Sequence, residues 1–282
     1  MARPFEHPLV AALIALALAE DLGAGDRTSE ATVPEAARAR GRLLAKQDLV
    51  VCGLPLLERV FGTLEAVECR LLAAEGQAVR TGDIVATVQG SARTLLAGER
   101  LALNLIQHLC GIATLTRRYV ERVAGTGLVV RDTRKTVPGM RVLAKYAVRT
   151  GGGTNHRLAL DDAVLVKDNH LTLGGGDFAA AVGSARARFP DLPLEVECRT
   201  LAEVERAVAA APDLILLDNM THDDLAAAVR LVAGRIPLEA SGGITLEELA
   251  AVAATGVQYV AIGALTHSAP AADLSLKLEP LG

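Results

Sequence analysis

The sequence predicts a mixed α/β fold whose C-terminal part contains a parallel sheet. Two observations carry this prediction. After about residue 110, short and nearly continuous apolar runs alternate with amphipathic segments of helical period, which is typical of parallel strands covered by helices on both faces. Before residue 110 the pattern is mixed, with helical segments next to alternating strands and glycine-bearing turns.

The N-terminal part is predicted to alternate between helix and strand. The predicted elements, in chain order, are a helix over 9–19, a strand over 41–51, a helix over 55–64, two alternating strands over 67–72 and 75–88, and a helix over 99–124, where leucines recur every three or four positions. The paired strands also resemble those of biotinyl and lipoyl carrier domains. Those carriers need a modifiable lysine at the hairpin tip, and no lysine lies between Lys46 and Lys135. A structural sheet is therefore the preferred interpretation.

The C-terminal part is predicted to contain six strands separated by helices. The apolar runs that predict strands are 128–130, 163–166, 194–196, 214–217, 237–240 and 259–262. The amphipathic segments that predict helices are 177–189, 200–211, 222–233 and 245–255. This number of units favours a short α/β barrel, although periodicity alone does not distinguish a barrel from an open, doubly wound sheet.

A polar or glycine-containing segment follows each predicted strand. These segments are 132–135, 167–170, Glu197, 218–219, 241–243 and 263–264. In parallel barrels the active site is built from the loops after the carboxyl ends of the strands, so we expect these segments to meet at one opening. Any one of them alone is more simply explained as a solvated loop, but six in register favour a functional site.

Basic residues are concentrated between positions 131 and 157 of an otherwise acidic chain. They are Arg131, Arg134, Lys135, Arg141, Lys145, Arg149, His156 and Arg157, and Asp132 is the one acid among them. Such a local positive field suits a small, highly anionic ligand, because arginine binds carboxylate or phosphate through two parallel hydrogen bonds. The members at 141, 145 and 149 recur every four positions and are equally well explained as a solvated helix face.

Glycines in two late loops predict a phosphate site. Residues 241–243 lie between a strand and a helix expected to begin near Thr245, where backbone amides and the helix N-terminus can bind a phosphate. Gly263 follows the next strand, in keeping with the phosphate sites of many barrels. We interpret the glycine run 151–153 as tight backbone packing that brings residues 155–157 to the opening, with a mobile loop as the alternative.

Glu197 and Asp218 are the two acids expected to face the site. Their carboxylates could bind ribose hydroxyls or hold Mg²⁺, in part through water. His108, His170 and His222 lack an obvious partner pattern and are interpreted as ordinary polar residues.

Composition excludes several classes of protein. The 282-residue chain has a formal net charge of −4 and only 2% aromatic residues, so it lacks both the basic stripe and the stacking platforms of nucleic-acid binders. Its longest apolar run, Leu9 to Ala19, is too short for a membrane span. Cys52, Cys69, Cys110 and Cys198 are far apart in sequence, which indicates reduced, buried thiols in a cytoplasmic protein.

Four segments together resemble the quinolinate phosphoribosyltransferase family. They are Asp132 to Gly139 (DTRKTVPG), Lys145 to Arg149 (KYAVR), Gly151 to Arg157 (GGGTNHR) and Lys167 to His170 (KDNH), with support from Gly98 to Asn104. The resemblance implies an N-terminal α/β sandwich domain over 1–109, an incomplete α/β barrel over 110–268, and a C-terminal tail over 269–282 that returns to the sandwich. It also implies a homodimer or higher oligomer in which each site receives Arg100 from the neighbouring protomer.

The reaction implied by the resemblance is the Mg²⁺-dependent conversion of quinolinate and phosphoribosyl pyrophosphate into nicotinate mononucleotide, pyrophosphate and CO₂, a step of de novo NAD biosynthesis. The implied quinolinate ligands are Arg100, Arg134, His156, Arg157 and Lys167. Catalytic roles fall to Lys135, Lys167, Glu197 and Asp218, of which the two acids would also hold the metal, through water. Phosphate contacts fall to Ser241, Gly242, Gly243, Gly263 and His267.

Three other functions are considered. A molybdenum-transport-associated paralogue of similar fold shares part of the motif set. An aldolase of barrel fold would use Lys167 as a Schiff-base nucleophile, which requires a desolvated amine. An anion-sensing scaffold would bind its ligand without turnover, but it is disfavoured because acids and bases are expected at the same opening.

Overall fold

The computed structural model describes residues 4–281. The chain divides into two compact units. Unit 1 contains the residues up to Arg117, Thr136–Gly152 and the residues from Leu265 onward, whereas unit 2 contains Arg118–Lys135 and Gly153–Ala264. Neither unit is one continuous stretch, and the proposed domain limits at 109/110 and 268/269 stay a prediction.

Unit 1 is built on a four-stranded sheet with the order β12-β1-β5-β3, in which every neighbouring pair is antiparallel. Along β1 (Arg38–Ala45) exposed and buried residues alternate, because one face of this sheet is covered and the other meets solvent. The other strands of the sheet are β3 (Glu68–Leu71), β5 (Ile84–Ser91) and β12 (Leu274–Pro280). A separate two-stranded sheet pairs β2 (Leu49–Val50) with β4 (Ala78–Val79).

The helices that belong to unit 1 begin with a 3₁₀ turn at Pro4–Glu6. They are α1 (Pro8–Leu22), α2 (Arg27–Thr32), α3 (Leu56–Leu64) and α5 (Arg141–Thr150). The long helix α4 (Ala92–Arg122) begins seven residues before the predicted start at residue 99. The predictions of single strands over 41–51 and 75–88 are wrong. Residues 41–51 are divided between β1 and β2, and residues 75–88 between β4 and β5, because β2 and β4 leave the larger sheet and pair with each other.

Unit 2 contains six parallel strands in the order β6-β11-β10-β9-β8-β7. This order follows the chain in a circle and is open between β6 and β7, as expected of an incomplete barrel; a doubly wound sheet would reverse direction in the middle. The strands are β6 (Val129–Arg131), β7 (Val164–Val166), β8 (Leu194–Cys198), β9 (Leu214–Asp218), β10 (Leu238–Ser241) and β11 (Tyr259–Ala261).

Helices connect these strands near the predicted positions. They are α6 (Asp168–Leu173), α7 (Phe178–Arg188), α8 (Leu201–Ala210), α9 (His222–Val232), α10 (Leu249–Ala254) and α11 (Ala264–His267). The expected start near Thr245 is wrong, because Thr245 and Glu248 bond to each other within a turn, and α10 begins only at Leu249.

All four cysteines are free thiols. Cys69 is partly exposed and the other three are buried. Among the helices within residues 4–281, none combines the length and apolarity that a membrane crossing requires.

Candidate active site

A pocket with a volume of about 290 Å³ lies at the carboxyl ends of the unit 2 strands, the edge at which parallel barrels place their sites. Its lining is Thr133, Arg134, Lys135, His156, Arg157, Leu165, Lys167, Glu197, Leu216, Asp218, Glu239, Ser241 and Ala261. The structure therefore brings together eight of the residues singled out as site candidates in the sequence: Arg134, Lys135, His156, Arg157, Lys167, Glu197, Asp218 and Ser241.

Strand register explains why side chains from different strands meet here. Ser241 pairs with Asp218 on one side and with Ala261 on the other, so these three lie at one level of the sheet. Glu239 and Leu216 pair at the level two residues earlier. Because side chains two residues apart on a strand share a face, both levels point into the same pocket.

The buried carboxylate of Asp132 holds the segment that carries His156 and Arg157. Asp132 follows β6 and is fully buried; its Oδ2 accepts from Nδ2 of Asn155 at 2.6 Å and its Oδ1 accepts from the backbone N–H of His156 at 2.9 Å. In the sequence Asp132 was part of the polar segment 132–135 and the one acid among the basic residues at 131–157, but it was assigned no individual role. Its position directly after a strand was the signal that could have identified it as structural.

Two arginines, Arg134 and Arg157, line the same pocket. Burial and the neighbouring positive charge of Arg134 lower the pKa of Arg157 below its usual value. The Arg157 side chain also donates from Nη1 to the carbonyl oxygen of Ala163 at 3.2 Å, which fixes it near the start of β7. Bringing like charges together is unfavourable, and a bound anion relieves that cost.

Lys167 and Glu197 form an ion pair at the ends of β7 and β8. The Glu197 side chain is 5% exposed, whereas that of Lys167 is 43% exposed. An ion-paired and partly exposed lysine is not the desolvated amine that a Schiff-base mechanism needs. His170 has a structural role here, because its Nδ1 accepts from the backbone N–H of Lys167 at the start of α6.

Asp218 ends β9 beside Arg199 and Asn219. Its Oδ2 accepts from Nδ2 of Asn219 at 2.9 Å and from Nε of Arg199 at 3.4 Å. The carboxylates of Glu197 and Asp218 thus both stand at the pocket, on neighbouring strands. Mg²⁺ is usually bound by one or two protein carboxylates plus substrate phosphate oxygens, so this donor set fits the ion.

The loop after β10 is shaped for a close approach of the backbone. Gly242 has φ of +110°, and a Cβ at this position would lie 2.3 Å from Oδ1 of Asn219. Gly243 has φ of +58°, so this stretch needs glycine for its backbone conformation. The sequence predicts that the N-terminus of the next helix also contacts the phosphate. Among the described residues no helix begins directly after this loop, because α10 begins at Leu249, six residues after Gly243.

A second group of acids next to the pocket was not predicted as functional. Nε2 of His156 lies 2.7 Å from Oε2 of Glu195 and 3.6 Å from Oε1 of Glu239, and Nη1 of Arg131 donates to Oε2 of Glu239 at 2.5 Å. Burial and the nearby charge of Glu195 raise the pKa of Glu239 to about 7, although Arg131 and His156 oppose that rise. A sequence signal existed: Glu195 and Glu197 are two apart on one strand and so share a face, and Glu239 is an acid inside an apolar strand.

Several members of the predicted basic and phosphate sets belong to unit 1. They are Arg100, Arg141, Lys145, Arg149 and His267. The interpretation of the 141–149 series as a solvated face is wrong for Lys145, which is 1% exposed within α5. Nδ1 of His267 lies 2.6 Å from the hydroxyl of Ser268. Neither His267 nor Gly263 is part of the pocket lining.

The first glycine of the run after α5, Gly151, is close-packed, as the sequence interpretation expected. A Cβ on Gly151 would lie 2.5 Å from the carbonyl oxygen of Ala113 and 2.6 Å from Cβ of Thr116, both on α4. Only glycine allows this approach, and the chain then continues to Thr154, which forms a parallel bridge with Arg131.

Comparisons with known proteins show which curated proteins the chain is similar to. The chain is 46% identical over 266 residues to a probable carboxylating nicotinate-nucleotide pyrophosphorylase of Synechocystis, covering 93% of this chain and 90% of the relative. It is 44% identical to the carboxylating nicotinate-nucleotide pyrophosphorylase of Mycobacterium leprae, covering 93% and 94%. Relatives of this name do not favour the molybdenum-transport-associated alternative.

Solved structures give the same result. NadC from Streptococcus pyogenes superposes with a TM-score of 0.91 at 40% identity and covers 97% of both chains. The nicotinate-nucleotide pyrophosphorylase of Francisella tularensis superposes with a TM-score of 0.90 at 35% identity, covering 96% of both. The family models for the N-terminal and C-terminal domains of quinolinate phosphoribosyl transferase match residues 26–110 and 112–277. The chain therefore belongs to the quinolinate phosphoribosyltransferase family.

Proposed function

We propose that this enzyme transfers the phosphoribosyl group of phosphoribosyl pyrophosphate to quinolinate and releases CO₂, giving nicotinate mononucleotide and pyrophosphate for NAD biosynthesis. The observation that carries the proposal is the unit 2 pocket, which combines closely spaced guanidinium groups with two carboxylates at the ends of adjacent strands. A dianionic acceptor and a highly charged sugar donor need this combination of charges.

Quinolinate is proposed to bind on the cationic side of the pocket. Arg134, His156 and Arg157 would bind its two carboxylates, because guanidinium groups match a carboxylate with paired hydrogen bonds. Lys167 would add a point charge beside them. The unfavourable proximity of Arg134 and Arg157 supports this assignment, because a dianion would neutralise both charges.

Phosphoribosyl pyrophosphate is proposed to bind on the carboxylate side. Its 5-phosphate would contact Ser241, Gly242, Gly243 and Gly263, and Lys135 would contact the pyrophosphate. Mg²⁺, held through water by Glu197 and Asp218, would supply charge neutralisation for the departing pyrophosphate. The same carboxylates would stabilise the positive charge that develops at the anomeric carbon.

Bond changes are proposed to occur in two steps. The lone pair of the ring nitrogen forms a bond to the anomeric carbon while the bond from that carbon to pyrophosphate breaks. The ring nitrogen is then positively charged and stabilises the electron pair that stays on C2 when the bond from C2 to its carboxylate breaks, so CO₂ leaves after ribosylation. A proton from water then completes the C2–H bond of the product.

We further propose a cytoplasmic homodimer in which Arg100 of one protomer completes the quinolinate site of the other. The family resemblance supports the exchange of Arg100, and the four free thiols suit a reducing compartment.

The test is release of labelled CO₂ from carboxyl-labelled quinolinate, followed together with nicotinate mononucleotide formation. The purified protein should release one CO₂ per nucleotide only when phosphoribosyl pyrophosphate and Mg²⁺ are both present, and chelation should stop the reaction. Nicotinate in place of quinolinate is the matched substrate control, and we expect no nucleotide from it. Free nicotinate appearing before any nucleotide would contradict the order of steps, and turnover of nicotinate alone would contradict the assigned reaction.

A further inference from the structure

Four charged or ionisable side chains form a largely buried cluster at the pocket, and two of them, His156 and Glu239, line it. The other two members of the cluster are Arg131 and Glu195. The His156 and Glu195 side chains are each 8% exposed, and that of Glu239 is fully buried. The imidazole contacts both carboxylates, and the guanidinium of Arg131 contacts Glu239 and also lies 5.0 Å from the ring centroid of Tyr259. The proposed function assigns a role to only one of these four residues, His156.

Contacts at one ring nitrogen set the orientation of the imidazole. Nε2 of His156 lies 2.7 Å from Oε2 of Glu195 and 3.6 Å from Oε1 of Glu239, so both carboxylates hold the same edge of the ring. Buried polar groups are stable when they are paired, and this pairing fixes the ring of His156 at the pocket that it lines.

Two side-chain oxygens of the cluster support a role beyond packing. Oε1 of Glu195 and Oε1 of Glu239 are buried and have no hydrogen-bond partner among the described residues, which is a costly arrangement for a site that serves only stability. The backbone of His156 is held independently by Asp132. The ring is therefore fixed from one side by Glu195 and the main chain from the other by Asp132.

We propose that Glu195 and Glu239 are positioning residues for the pyridine dicarboxylate, which they serve by holding the imidazole of His156 in one orientation at the pocket. This inference rests on the proposed function, because it needs His156 to bind a substrate carboxylate. Arg131 completes the arrangement by fixing Glu239. The two glutamates act through His156, since two carboxylates facing an anionic substrate directly would repel it.

The cluster also offers a geometry that a metal ion could use. One ligand atom from each of His156, Glu195 and Glu239 lies within 4.8 Å of the others. Two contacts favour a directly hydrogen-bonded cluster instead. The 2.7 Å separation of Nε2 from Oε2 of Glu195 is a direct hydrogen bond, and the guanidinium of Arg131 occupies Oε2 of Glu239 with a positive charge that repels a second cation.

A double-mutant cycle tests the proposal. Glu195→Gln and Glu239→Gln are each made alone and combined with His156→Asn, and Glu205→Gln on the exposed side of α8 is the matched control. Glutamine keeps the shape and the hydrogen-bonding oxygen but removes the charge. Each single variant should raise the KM for quinolinate about 10–100-fold, by analogy with the loss that follows removal of the carboxylate partner of a metal-ligating histidine. The KM for phosphoribosyl pyrophosphate and kcat should change less than about twofold.

The combined variants separate positioning from general structural damage. In the His156→Asn background neither glutamine substitution should weaken quinolinate binding further, because residues that act through one partner are not additive. Full additivity, or an equal rise in the KM for both substrates, would overturn the proposal. One equivalent of a divalent metal in the purified enzyme that is lost in both glutamine variants would overturn it too.

Calorimetry of quinolinate binding in the absence of the second substrate separates a failure of this proposal from a failure of the proposed reaction. If the wild-type enzyme binds quinolinate but releases no CO₂, the proposed reaction fails, and the cycle still decides the positioning role from binding. If a glutamine variant does not fold, its aspartate counterpart keeps the charge at a shorter reach and should show the same selective loss of quinolinate affinity. Unchanged quinolinate affinity in folded variants would refute the role.

Discussion

Replacing Asp132 with asparagine tests how the pocket is assembled. The substitution keeps the size of a fully buried side chain but leaves only one acceptor oxygen for two donors, Nδ2 of Asn155 and the backbone N–H of His156. One donor must then face an amide NH₂ group. The segment that carries His156 and Arg157 should shift away from β6, and quinolinate binding should weaken.

The size of the effect follows from the bond that is lost. A hydrogen bond to a charged group contributes about 1.5–3 kcal/mol, and the buried donor left behind has no solvent to replace it. We therefore expect Asp132→Asn to lower the free energy of unfolding by about 2–3 kcal/mol. If the shift of the segment costs the same free energy during substrate binding, kcat/KM for quinolinate should fall about 30–140-fold, since 1.4 kcal/mol corresponds to a factor of ten.

Two measurements decide this prediction. Urea unfolding is followed by circular dichroism, because the chain has no tryptophan, and kcat/KM is obtained from labelled CO₂ release. Asp191→Asn, at an exposed position after α7, is the control and should change neither quantity. The reasoning would be refuted if Asp132→Asn stayed within about 0.5 kcal/mol of the wild type, the range of ordinary surface substitutions, and retained its kcat/KM.

Three further predictions concern other parts of the chain. Because burial raises the pKa of Glu239 to about 7, folding favours its protonated form, and its contribution to stability should be present below about pH 4.5 and be lost as the pH rises to about 7. Glu239→Gln removes this pH-dependent contribution, so the difference in free energy of unfolding between variant and wild type should change by about 3 kcal/mol at most between pH 4.5 and 7. A difference that stays constant over this range in urea unfolding would contradict the raised pKa of Glu239. Arg100→Ala and His156→Ala should each inactivate the enzyme, and refolding their mixture should restore part of the activity if Arg100 is exchanged between protomers; no recovery would argue against exchange. Gly151→Ala should lower stability by about 1–3 kcal/mol, because its Cβ would lie 2.5 Å from the carbonyl oxygen of Ala113, and an unchanged Tm would show that α4 can move aside.

The strand and helix pattern of unit 2 was predictable because it depends on local periodicity. Near-continuous apolar runs identify strands covered on both faces, and all six predicted runs correspond to strands of the sheet. The errors fall where hydrogen bonding between distant segments decides the outcome. The strand predicted over 41–51 divides because residues 49–50 pair with β4 in a separate sheet, which no local pattern indicates.

The order of the parallel strands was not available from periodicity. Only the pairing of β6 with β11, from opposite ends of the unit, distinguishes a nearly closed circle from an open doubly wound sheet. Likewise, the basic segment 131–157 looked like one feature, but the structure assigns α5 to unit 1 and buries Lys145 within it. Spacing along a helix shows which residues share a face, and it does not show whether that face is covered.

The sequence by itself determined the chemistry of the pocket: which strands end in a cation, a carboxylate or a glycine, because those residues follow directly on the apolar runs. Only the tertiary structure decided which buried partners hold that chemistry in place. Asp132, Glu195 and Glu239 gain their importance from contacts across strands that are tens of residues apart in the chain. Such contacts depend on register and burial, and both arise only when the strands pack together.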